Sequence, residues 1–125
     1  MKVTYGDIVK ASKGAFGELI EKKEIPTKVS LKIVTLIDEL SGKLGIFNTM
    51  KNQLIEKIGI PDGKTGKPMI YQGTPEMAAF NIELAEVMNT EVDISLNEKI
   101  AVKVGTISPA SIMALRPFID IEVYA

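Results

Sequence analysis

KVSLKIVTLIDELSGKLGIFNTMKNQLIEKI, residues 28–58, is the stretch whose reading decides the fold. Ile33, Leu40, Phe47 and Leu54 recur every seven residues, and Leu36, Ile37, Leu44, Met50 and Ile58 fill the flanking positions. Side chains three and four apart stack on one side of an α-helix, so this spacing predicts a helix packed along its length. Gly42 and Gly45 interrupt it, and each disfavours helix by up to about 1 kcal/mol. Two shorter helices are the alternative. The seven-residue phase nevertheless runs through both glycines undisturbed, which a turn would have no reason to preserve. One continuous helix is expected.

At 1.5 Å per residue this helix is roughly 46 Å long, whereas a compact body of this chain length is roughly 35 Å across. The apolar ridge is therefore expected to project, or to be covered by another subunit. Ile33, Leu36, Leu40, Leu44, Phe47, Met50 and Leu54 make up the candidate interaction seam.

Upstream, Thr4-Tyr5-Gly6-Asp7 has the spacing of a capping box, and a first helix is expected over about 6–23, weakened by Gly14 and Gly17. Downstream, Gly59 ends the long helix and Pro61–Pro68 reads as turn and loop. Asp62, Lys64 and Lys67 make that loop a candidate contact surface. Thr74-Pro75-Glu76 opens a third helix with Met77, Phe80, Leu84, Val87 and Met88 on its buried face. Alternation at Val92, Ile94 and Leu96, and again at Ile100, Val102 and Val104, predicts two strands paired as a hairpin. Ser108-Pro109 starts a short helix to Leu115, and Ile119, Ile121 and Val123 form a last strand. The expectation is an α+β fold in which the long helix and two further helices pack with a small antiparallel sheet from the C-terminal third. It is read as a single domain over 1–125, helical over 1–90, with the sheet and short helix over 91–125.

Composition narrows the chemistry. The 125 residues include no cysteine and no histidine, so thiolate chemistry and imidazole acid–base or metal chemistry are excluded. Net charge is −1, and Arg116 is the one arginine among fifteen basic residues. The counterion-release term that drives nucleic-acid binding is correspondingly small. Arg116 itself is expected to cap a helix end or pair with Asp120. No uncharged apolar run approaches the ~20 residues that cross a bilayer, and no secretory signal is visible, so a cytoplasm is expected.

Gly59-Ile60-Pro61-Asp62-Gly63-Lys64-Thr65 imitates a phosphate-binding loop, but with one residue too few between the glycines and with a helix, not a strand, before it. It is read as a turn. Glu83 with Glu86, and Glu91 with Asp93, are read as solvated acids rather than a cation site. Ser30 and Ser111 lack any spacing that marks a lysine as base. No catalytic residue, cofactor or metal is expected, and a small-molecule ligand has no support of its own.

The blocks Ile25–Ile33, Gln53–Gly59, Phe80–Leu84, Asn89–Ile94 and Ile107–Leu115 together resemble, in their order, small proteins of unknown function from tailed bacteriophages and prophages. The likeness covers about residues 5–119 and departs at Pro61–Lys67, where those proteins often carry an acidic loop. It implies no catalytic or ligand-binding residue. It points to a non-enzymatic accessory or assembly protein that self-associates or docks on a phage or host protein. A small oligomeric anti-defence protein that sequesters a nucleotide signal or inhibits a host effector is the alternative.

Overall fold

The computed structural model describes residues 1–124. The protein is α+β. The chain runs β1 (Lys2–Thr4), α1 (Tyr5–Ala11), α2 (Ala15–Ile20), α3 (Thr27–Ile58), β2 (Ile60–Pro61), β3 (Pro68–Met69), α4 (Pro75–Met88), β4 (Glu91–Asp93), β5 (Ile100–Val104), α5 (Pro109–Leu115) and β6 (Ile119–Val123). Helix α3 is continuous for 32 residues through Gly42 and Gly45. Packing along one side outweighs the propensity cost of two glycines whose own positions face open space.

The expected first helix is two short ones. The Thr4 hydroxyl accepts from Asp7 N–H, and the Asp7 carboxylate accepts from Thr4 N–H, each at 3.1 Å, so the capping box holds. At the far end of α1 the Ser12 hydroxyl donates to Ile8 O at 2.6 Å, and Gly14 takes φ +103°, which ends the helical run. Glycine adopts that backbone without the Cβ clash other residues suffer. The turn lets α2 set Ala15, Phe16 and Leu19 into the core beside Ile8 and Ala11 from α1.

Two expectations about the sheet are corrected. The strand near 92 does not turn back onto β5. It pairs antiparallel with β1, Val3 opposite Val92. Strand β5 instead pairs parallel with β6, Ile100 opposite Ile119 through Val104 opposite Val123. Parallel neighbours need a crossover of a dozen or so residues, and the α5 segment supplies it. Strands β1, β2 and β3 also lie within the first ninety residues, which are not wholly helical.

The main core lies where β5 and β6 meet α1, α2, α5 and the first half of α3. Leu19, Ile33, Val104, Leu115, Phe118 and Ile119 are all sealed there. The second half of α3 runs past this core but not into solvent. Phe47, Leu54 and Phe80 of α4 are each buried, and Phe47 stacks on Tyr5 with ring centroids 6.3 Å apart.

Candidate functional site

Helix α3 has two faces of opposite character. Of the candidate seam, Ile33, Leu36 and Leu40 lie in the main core, Leu44 is half-buried against it, and Phe47 and Leu54 are covered further along. Met50 alone is open, at 39 % exposure. The reading that one subunit cannot hide this ridge is overturned: α1, α4 and the β2–β3 hairpin cover what the main core does not. Sequence spacing revealed which side of α3 is buried, but not that α4 returns along it.

The opposite face is bare. Leu31 is 66 % exposed, Val34 53 % and Ile46 51 %. Gly42 and Gly45 lie between them with nothing within 4 Å of where a Cβ would stand. Beside Leu31, a groove of about 330 Å³ runs between α3 and Ser95–Leu96, lined by Leu31, Lys32, Thr35, Leu36 and Glu39. Its lining is mostly apolar carbon, which suits an apolar side chain better than a charged one.

In the contact loop, Asp62 looks inward. Its carboxylate accepts from Thr65 hydroxyl at 3.0 Å and Thr65 N–H at 3.2 Å, and Tyr71 hydroxyl donates to it at 3.4 Å. The Thr65 hydroxyl, then the Thr65 N–H, hold this acid below the ordinary aspartate range. Lys64 and Lys67 stand exposed at the tip, so the loop presents cationic side chains while its acid organises the turn.

A second set of polar contacts went unread in the sequence. Three glutamates of the helical half bind backbone N–H groups of the C-terminal third. Glu18 accepts from Ser108 N–H, Glu24 from Gly105 N–H at 2.8 Å, and Glu39 from Ser95 N–H through both oxygens at 3.1 and 3.0 Å. Their partners lie 56 to 90 residues away, so no local pattern announces them. The Glu18 carboxylate is held below the ordinary glutamate range by the Ser111 hydroxyl first, then by Ser108. Glu24 is lowered chiefly by Gly105 N–H. A carboxylate accepting such bonds is favoured in its charged form.

These contacts also bear on the candidate chemistry. The start of α5, where backbone amides would meet a phosphate, is already occupied by Glu18. The Ser111 hydroxyl donates to that same carboxylate, which ties it to an acid rather than to a lysine. At the start of α4, Thr74 hydroxyl accepts from Met77 N–H at 3.2 Å. Glu83 forms an exposed ion pair with Lys57 at 3.6 Å. Among the described residues no group of three or more acids could hold a metal ion, and Arg116 makes no ion pair with Asp120. No helix among them is long and apolar enough to cross a membrane.

Comparison with protein-family models, with curated proteins and with solved structures finds no match.

Proposed function

We propose that this chain is a non-enzymatic accessory or assembly protein that works through protein–protein contacts, in the phage setting to which its block order points. The observation that carries the reading is the placement of its exposed apolar side chains. Leu31, Val34 and Ile46 on α3, Ile82 on α4 at 65 % and Met113 on α5 at 69 % stand on helix faces turned away from the core. Leu31 and Val34, one turn apart, adjoin on such a face, and adjoining large side chains mark contact surfaces more often than scattered single ones do. The polar groups best placed for chemistry, Glu18 with Ser108 and Ser111, are satisfied by one another.

The test is the solution mass of the purified chain together with identification of the proteins that co-purify from phage-producing cells. Complexes with virion or assembly components are expected. A strictly monomeric chain that brings down none of them would sink the proposal. Native mass spectrometry with linear and cyclic nucleotides is the companion measurement, since retention of one nucleotide at stoichiometric occupancy would favour nucleotide sequestration instead.

A further inference from the structure

The bare face of α3 has a pattern of its own. Leu31, Thr35, Asp38, Gly42, Gly45 and Thr49 follow one another at steps of three and four residues, and every one is exposed. That is the spacing of a helix-pairing stripe, on the side opposite the buried ridge. Its centre is the pair of glycines. Each costs helix stability relative to alanine, and nothing inside the chain needs either to be small. The flanking threonine hydroxyls are already satisfied, Thr35 donating to Leu31 O at 2.8 Å and Thr49 to Gly45 O at 3.0 Å. This face can therefore lose its water without stranding a hydroxyl donor.

We propose that this face pairs with the same face of a second copy, the two α3 helices antiparallel about a two-fold axis at Gly42. The inference rests on the reading of the chain as a contact protein and names one of its partners. Three features point to a second copy rather than to another protein. Lys28 and Glu56 lie at opposite ends of the stripe, each fourteen residues from Gly42, so an antiparallel pair sets Lys28 of each copy against Glu56 of the other. The same symmetry sets Thr35 against Thr49. It also brings Met50 of the second copy to the height of Val34 along the axis, which is the height of the groove lined by Leu31, Lys32, Thr35 and Glu39. That groove is apolar and has room for a methionine side chain. The second copy thereby gives a place to the one member of the predicted seam left open by its own chain.

The core and α4 lie on the other side of α3, and Ser95–Leu96 border its flank at Glu39 without covering Leu31 or either glycine. The stripe from Lys28 to Glu56 is about 42 Å long, and a contact roughly 10 Å wide covers on the order of 400 Å² per copy. A standard interface buries roughly 800 Å² per partner, so a reversible dimer is expected.

Sedimentation equilibrium across a wide concentration range tests this. The expected mass rises from 13.6 kDa toward twice that value. Gly42→Lys raises helix propensity, so the monomer folds, which circular dichroism verifies, yet it sets two like charges together at the axis. Its dimer dissociation constant is expected to rise at least about tenfold. Lys28→Glu and Glu56→Lys each weaken the dimer, and the double reversal restores it. In this cysteine-free chain, Gly42→Cys is expected to cross-link to itself on mild oxidation while Lys64→Cys does not. A monomer at every concentration overturns the inference. So does a dimer that Gly42→Lys leaves intact, which moves the contact elsewhere. Either result leaves the assembly reading standing if virion or assembly components still co-purify.

Discussion

Glu18 and Ser108, ninety residues apart, are joined by two hydrogen bonds: Ser108 N–H donates to Oε1 at 2.7 Å and the Ser108 hydroxyl to Oε2 at 2.9 Å. One carboxylate thus caps the start of α5 from α2, and Ser111, the one buried polar residue among those described, closes the arrangement by donating to the same acid. Helix α5 is the crossover between β5 and β6, so Glu18 ties the start of that crossover to α2. Glu24 at Gly105 and Glu39 at Ser95 hold the same third of the chain from two further points.

Replacing Glu18 by glutamine keeps the shape and one acceptor oxygen but removes the charge that three donors share. Thermal unfolding of Glu18→Gln is expected at a lower temperature than that of the wild type. Glu122→Gln, which touches only an exposed ion pair with Lys103 at 3.8 Å, is expected to leave the midpoint almost unchanged. Equal midpoints for the two variants would refute the capping role.

Acid should unfold the protein through these same groups. Glu18, Glu24 and Asp62 all bind protons less readily when folded than ordinary carboxylates do. Their contribution is complete above the unfolded-chain value of 4.5 for glutamate and is lost as pH falls through the lower folded values. Denaturant midpoints are therefore expected to hold level from pH 7 to about 5 and then to fall. Glu18→Gln/Glu24→Gln should start lower and fall less steeply. A parallel decline in both proteins would contradict the assignment.

The two faces of α3 make opposite forecasts for leucine truncation. Leu36→Ala opens a hole at a position 2 % exposed and is expected to cost about 2–5 kcal/mol. Leu31→Ala, at 66 % exposure, should change monomer stability by no more than about 0.5 kcal/mol. Urea unfolding at low concentration, where any dimer has dissociated, measures both.

Glycines separate in the same way. Gly14 sits at φ +103°, so Gly14→Ala forces a strained backbone and destabilises, by about 1 kcal/mol or more. Gly17 is inside α2 with open space around it, and Gly17→Ala is expected to stabilise by up to about 1 kcal/mol. Chemical denaturation of the pair decides whether the break between α1 and α2 is imposed by Gly14.

What was readable in advance follows a physical divide. Elements whose signal is local were legible. The seven-residue phase carried α3 through Gly42 and Gly45, Thr74-Pro75 marked the start of α4, and Ser108-Pro109 marked that of α5. Ser12 to Gly14 broke the first helix with a hydroxyl-to-carbonyl bond and a positive φ, and a window that weighs only apolar spacing passes over both.

The sequence by itself determined the longer elements, helices α3 and α4 and strands β5 and β6, and which side of each turns inward, because those properties repeat every two or every three to four residues. The short strands β1, β2 and β3 carry too few repeats to be read. Only the tertiary structure decided who meets whom: Val92 with Val3, Val104 with Val123, Phe47 with Tyr5, Glu18 with Ser108. Pairing is a competition among all surfaces of the folded chain, and alternation reads the same whichever strand lies alongside. For the same reason the buried ridge of α3 was visible as a ridge, while its cover, drawn from α1, α4 and a hairpin, was not.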